Sequence, residues 1–151
     1  MHKKKKLTCG LIGLSQGWYA NVYASELLAM KDVEFVGICD LGKSWDYALD
    51  CIGMSAEEFA AKFGTTLYHD AAEMLQQKLD MVVVASEIAE HYETTRLALE
   101  AGTHVFACKP FTFISDEVRR AIQIAQKRER MVLVGLPSRY EDGLSRSKFQ
   151  V

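Results

Sequence analysis

The chain has no apolar run approaching the roughly 18–20 residues that a membrane-crossing helix needs, and its first residues lack the long apolar stretch of a secretory signal. Neither a membrane nor export is therefore expected, and the protein reads as cytoplasmic. An excess of one charge is also missing. With 18 basic and 20 acidic residues the formal net charge is -2 at pH 7, which gives no general attraction to nucleic acid or to an acidic membrane surface. The one local bias, Lys3 to Lys6, precedes the first apolar segment and reads as a solvated leader. Cys9, Cys39, Cys51 and Cys108 form no C-x-x-C pair and no Cys/His cluster, so no metal site is expected. They read as free thiols, with Cys9 and Cys39 inside apolar runs as small core residues. Internal repeats and low-complexity tracts are absent too.

What remains is a chain of 151 residues, 49 % apolar and 25 % charged, enough for one ordinary domain with a sizeable core. Short apolar runs alternate with longer amphipathic stretches, the pattern of strand and helix in turn. The runs predict strands at Leu7 to Leu14, Val33 to Cys39, Thr66 to Tyr68, Met81 to Ala85, His104 to Ala107 and Met131 to Gly135. The fourth has almost no polar alternation, which implies burial on both faces and hence a parallel sheet covered by helices on either side. Helices are predicted from Tyr19 to Met30, with Val22, Leu27 and Leu28 inward, and over most of Gly42 to Phe63. In the second, Ser55 and Glu58 make a capping box and Phe59 and Phe63 an apolar pair. Further helices follow the cap at Asp70, run from Ala89 to Ala101 with Gly102 ending it, and start at Ser115 or Asp116 and continue to Arg128. Six strands joined by right-handed helical crossovers give a doubly wound α/β sheet in the order 3-2-1-4-5-6, a Rossmann-type fold. The domain is expected to span residues 1–137, and 138–151 to form an extension or tail.

The chemistry concentrates where strands end. The first strand runs into Gly13-Leu14-Ser15-Gln16-Gly17, where small residues let a pyrophosphate approach free backbone N–H groups and the helix dipole. Gly13 fits the tight-turn glycine, Ser15 replaces the second glycine of G-x-G-x-x-G, and Gly17 lies one place early for the third; the same glycines could also merely shape a turn. Asp40 closes the second strand, where its carboxylate either accepts the adenosine ribose hydroxyls or caps the next turn. A carboxylate there favours NAD over NADP, although Lys43 and Ser44 keep NADP open. Trp18 and Tyr19 either cover the cofactor or pack on a loop. His2, His69 and His104 read as exposed or capping residues.

The joint order of Gly13-x-Ser15, Val36-x-Ile38-Cys39-Asp40, Ala85-Ser86-Glu87-Ile88-Ala89-Glu90-His91 and Cys108-Lys109-Pro110 resembles the N-terminal domain of the glucose-fructose oxidoreductase / inositol 2-dehydrogenase (Gfo/Idh/MocA) family. The third segment is similar to that family's A-[TS]-P-N-x-x-H, with Ser86 and His91 matching and Glu87 and Ile88 replacing Pro and Asn. The fourth is similar to its E-K-P motif, with Cys108 in place of Glu. The resemblance implies a cofactor site of Gly13, Ser15, Gln16, Gly17, Asp40, Ser86, Glu87, His91, Lys109 and Pro110. It also implies that Lys109 is catalytic, assisting proton transfer at the reacting hydroxyl. Partial burial at the strand end would lower the pKa of such a lysine; a surface lysine in a turn is the alternative, and Cys108 reads as a packed neighbour. Gly135-Leu136-Pro137-Ser138-Arg139-Tyr140 fits the family's crossing into a C-terminal substrate domain, which this chain is expected to lack.

The leading expectation is thus the NAD(P)-binding domain of an oxidoreductase that moves hydride between a nicotinamide and a sugar, cyclitol or related polyol, with little turnover as this chain alone. A non-catalytic nucleotide-binding or regulatory module is the alternative, and a self-associating domain, a homo-oligomer, is a third reading.

Overall fold

A computed structural model of the protein describes residues 5–42 and 53–139. Within them six strands alternate with helices: β1 (Leu7–Ile12), α1 (Gly17–Ala29), β2 (Val33–Cys39), α2 (Ala56–Phe63), β3 (Thr66–Tyr68), α3 (Ala71–Leu75), β4 (Met81–Val84), α4 (Ile88–Glu100), β5 (His104–Ala107), α5 (Ser115–Lys127) and β6 (Val132–Val134), followed by a 3-10 turn at Pro137–Arg139. All pairings are parallel, in the order β3-β2-β1-β4-β5-β6 expected from the sequence. Lys43, Ser44, Cys51, His2 and most of the 138–151 tail lie outside the described residues, as does the first half of the stretch expected to be helical from Gly42.

Side chains that alternate along each strand sort into two cores. Cys9, Leu11, Val83, Ala85 and Cys108 pack with Ala20, Ala24 and Leu27 of α1 and with Phe59 and Phe63 of α2. Ile12, Val82, Val84, Val105 and Ala107 pack on the opposite face with Met74, Ala98, Leu99, Ala121 and Ala125 from α3, α4 and α5. The buried β4 side chains divide between both cores, which explains why its sequence carries no polar alternation.

Local chemistry sets the helix ends. Ser55 accepts from the Glu58 N–H while Glu58 accepts from the Ser55 N–H, the reciprocal box read from the sequence. The Asp70 carboxylate accepts from the Glu73 N–H at 2.9 Å. Gly102 follows α4 with φ 84°, the left-handed conformation that ends a helix. The inward side of α1 differs from expectation: Gly17, Ala20, Ala24 and Leu27 are buried, Val22 is half-buried, and Leu28 is 56 % exposed. One residue turns a helix by about 100°, so Leu28 leaves the stripe that Leu27 occupies, and small residues bring the helix close to the sheet.

β1 stops two residues earlier than its apolar run because Gly13 takes φ 88°. A Cβ built there would lie 2.4 Å from the backbone N and Cα of Ser86, so the β1–α1 turn rests directly on the end of β4. Hydrogen bonds from Ala85 N to Ile12 O (2.8 Å) and Gln16 N to Ala85 O (3.1 Å) fix the same contact, and Gly13 N donates to Cys39 O (2.8 Å) at the end of β2. Replacing Gly13 with Ala adds both the positive-φ strain and a clash with main chain. The substitution is expected to cost about 1–3 kcal/mol, read as a lowered midpoint in urea unfolding; an unchanged midpoint would show that the turn can move away from Ser86.

Candidate functional site

The carboxyl ends of β1, β4 and β5 open onto a cleft of about 930 Å³. Ser15, Gln16, Gly17, Trp18 and Tyr19 form the wall that leads into α1; Glu87, Ile88 and Ala89 contribute the β4–α4 side; Lys109, Pro110, Thr112, Phe113, Ile114 and Glu117 contribute the β5–α5 side. Helix α1 points its N-terminus at this space. It begins at Gly17 with no side-chain cap from Gln16 and no acidic residue in its first turn, so its amide groups and positive dipole end carry no competing carboxylate. Small residues at Gly13, Ser15 and Gly17 keep the backbone accessible at that corner, a cradle that suits a diphosphate.

The other residues singled out from the sequence fall at different depths. Ser15, Ser86 and Asp40 are buried, with exposures of 4 %, 0 % and 1 %. Asp40 sits just beyond β2, its backbone N–H donating to Tyr68 O and its carboxylate accepting from the Gly42 N–H at 3.3 Å. The turn-capping contact expected of it is therefore present. The buried carboxyl remains beside the corner where β2 and β1 end, the place a ribose would reach.

Lys109 differs from expectation. The residue is exposed rather than partly buried, with its ammonium 5.2 Å from the centroid of the Tyr19 ring, a cation–π contact across the cleft wall. Ala107 and Cys108 are buried in opposite cores, and Lys109 is the first residue past them to be exposed. Burial pushes the Cys108 thiol up to about 12, so it is neutral and inert, a packed neighbour as read from the sequence.

His91 is placed under the cleft rather than in it. Its ring is fully buried, with Nδ1 2.9 Å from Pro110 O and Nε2 2.9 Å from Ser86 O and 3.3 Å from the Gln16 amide nitrogen. The amide oxygen of Gln16 is buried without a hydrogen-bond partner. Trp18, 67 % exposed, packs edge-on against Tyr19 at 4.9 Å, and both line the cleft, so the aromatic pair serves the loop and the cleft wall together.

Sequence reasoning found Lys109 and Pro110 on the β5–α5 loop and missed the residues after them. Phe113 is 83 % and Ile114 56 % exposed at the cleft, and the Thr112 hydroxyl donates to the Glu117 carboxylate beside them. The signal was available: three large apolar residues, Phe111, Phe113 and Ile114, between Pro110 and the start of α5, in a stretch too short to bury more than Phe111.

Burial holds the His91 ring below the usual histidine pKa, against the opposing pull of the Pro110, Ser86 and Phe111 backbone. The folded protein therefore prefers the neutral ring, while the unfolded chain takes up a proton near pH 6.5. Stability from this group is complete above that value and falls as pH drops towards the folded pKa. Thermal midpoints should decline as the pH is lowered below about 6.5, and His91→Gln should flatten that decline; an equal slope in both proteins would remove His91 as its cause.

The chain matches the Gfo/Idh/MocA oxidoreductase family, NAD-binding Rossmann fold, over residues 7–136. It is 34 % identical over 108 residues to D-glucoside 3-dehydrogenase of Escherichia coli, covering 70 % of this chain and 28 % of that protein. With inositol 2-dehydrogenase of Salmonella typhimurium it shares 27 % identity over 142 residues, 91 % of this chain and 39 % of the relative. Its fold is also similar to a solved WlbA dehydrogenase from Chromobacterium violaceum in complex with NADH and UDP-GlcNAcA, with a TM-score of 0.79 and 22 % identity over 97 % of this chain and 39 % of that one. The chain thus spans well under half the length of these relatives. Glycine corner, strand order and sequence together show that residues 7–136 belong to the Gfo/Idh/MocA oxidoreductase family as its NAD-binding Rossmann domain.

Proposed function

We propose that this chain holds the nicotinamide dinucleotide for an oxidoreductase that interconverts a hydroxyl and a carbonyl on a sugar, cyclitol or related polyol. The observation that carries the reading is an uncapped helix N-terminus, with Ser15, Gln16 and Gly17, opening onto one cleft of an NAD-binding fold together with Glu87, Lys109 and Pro110; Gly13 and the buried Asp40 stand at neighbouring strand ends without lining that cleft. The relatives named above, dehydrogenases of a glucoside and of inositol, support the substrate class.

Each group has a distinct task. Backbone amides at the start of α1 face the diphosphate, and Gly13 and Ser15 leave it room. Asp40 accepts the adenosine ribose hydroxyls and repels a 2′-phosphate, which favours NAD over NADP. Ser86 and Glu87 border the nicotinamide half. The nicotinamide, when bound, supplies the redox chemistry. Lys109 and Pro110 stand at the rim where a substrate hydroxyl would meet it. Lys109 there acts on the proton of that hydroxyl, held over Tyr19 until substrate arrives. With its ammonium exposed, Lys109 by itself gives little turnover. The proposal places this chemistry in the cytoplasm, on a small molecule, with association between copies as a further feature.

Titration with NADH, followed by nicotinamide fluorescence and by thermal shift, should show saturable binding. Asp40→Asn keeps the bulk of the side chain and removes its charge. That change should weaken NAD by about 10- to 100-fold and narrow the gap between NAD and NADP. An absence of NADH binding by the wild-type chain would overturn the proposed function, and an unchanged NAD/NADP ratio in the variant would remove Asp40 from the ribose site.

A further inference from the structure

We infer that His91 is the positioning residue of the cleft, its buried ring in the first turn of α4 touching all three loops that border the site and hydrogen-bonding two of them, at Pro110 and Gln16, in the Nδ1–H form. The inference rests on the dinucleotide reading above and goes beyond it, because it assigns to one residue the relative placement of those loops. The ring reaches the β1–α1 loop at Gln16, the β4–α4 loop at Ser86 and the β5–α5 loop at Pro110. These positions lie 75, 5 and 19 residues away along the chain. With no exposed surface, the ring touches no ligand itself and acts through the residues it holds. Two of them, Gln16 and Pro110, line the cleft, and Ser86 immediately precedes the lining residue Glu87.

Hydrogen-bond chemistry gives the bridge a direction. Carbonyl oxygens only accept, so the nitrogen carrying the proton donates and the bare one accepts. In the Nδ1–H form the ring donates to Pro110 O and accepts from the Gln16 amide N–H, making two bonds at once to loops that follow β5 and β1, while Ser86 O, 2.9 Å from the bare Nε2, receives no proton from the ring. In the Nε2–H form it donates to Ser86 O and leaves Pro110 O without a proton. The first form therefore couples the diphosphate corner to the Lys109-Pro110 rim through a single rigid ring. A leucine of similar size would fill the space and couple nothing.

Three substitutions separate these arms. His91→Leu removes both, His91→Asn returns an amide near the Nδ1 position facing Pro110, and His91→Gln returns one near the Nε2 position facing Ser86 and Gln16. Affinities are measured well below each variant's melting temperature, for NADH and for ADP, which ends at the diphosphate. His91→Leu should weaken NADH by about tenfold and ADP by less than about threefold, with partial recovery in His91→Asn or His91→Gln. Hydrogen exchange without ligand should quicken at 15–17 and 109–112 in His91→Leu and slow again in the amide variants.

Wild-type NADH affinity in folded His91→Leu would overturn the inference, as would an equal loss for NADH and ADP, which marks a general structural role. If His91→Leu does not fold, the amide variants decide it, and the inference fails if both match the wild type in affinity and exchange. A wild-type chain that ignores NADH defeats the dinucleotide reading alone; the exchange measurement needs no ligand and still tests the bridge.

Discussion

No side chain fits on Gly13. Its Cα faces the backbone of Ser86 so closely that a single added carbon would overlap it, and this contact fixes where the first and fourth strands end relative to each other. β1 is the strand from which the sheet runs outward both ways, to β2 and β3 on one side and to β4, β5 and β6 on the other. Helices that follow β1 and β4 leave on opposite faces of the sheet, so the two connections diverge above the contact and leave a crevice between them. The cleft is thus a product of strand order, and Gly13 determines how deep into the crevice the backbone amides reach.

Much of this architecture was legible in the chain. Apolar runs gave the strands because a sheet covered on both faces demands apolar side chains in both directions, as Val82, Val83 and Val84 show. Capping residues gave helix starts where the cap is a side chain, as at Ser55 and Asp70. Starts without one were less regular: α1 begins at Gly17, two residues before its apolar pattern would place it, whereas α5 begins at Ser115 as expected although it has no side-chain cap. The inward face of α1 was misread at Leu28 because size was taken as the mark of burial, whereas close approach to the sheet selects glycine and alanine.

The cleft was legible only in part, because sequence gives position along a strand but not depth. Ser15, Gln16, Gly17, Glu87, Lys109 and Pro110 do come together around one space. Lys109 was expected to be partly buried and lies exposed, the first exposed residue past the buried Ala107 and Cys108. His91 looked like a contact residue and is a buried bridge, a difference set by contacts up to 75 residues apart that no local pattern records. Phe113 and Ile114 were passed over because exposed apolar residues in a short loop carry no periodicity.

Three thiols sit in the cores on which this geometry rests. Burial pushes Cys9 up to about 11 and Cys39 and Cys108 up to about 12. At neutral pH each is held as the thiol, whereas the thiolate is the form that reacts with alkylating reagents. Cys9 lies in β1, Cys39 ends β2 and Cys108 follows β5, so modification of each requires a different part of the sheet to open. The chain consequently carries its own set of chemical clocks: the rate at which each sulfur is alkylated under native conditions times the local opening of the strand that shelters it.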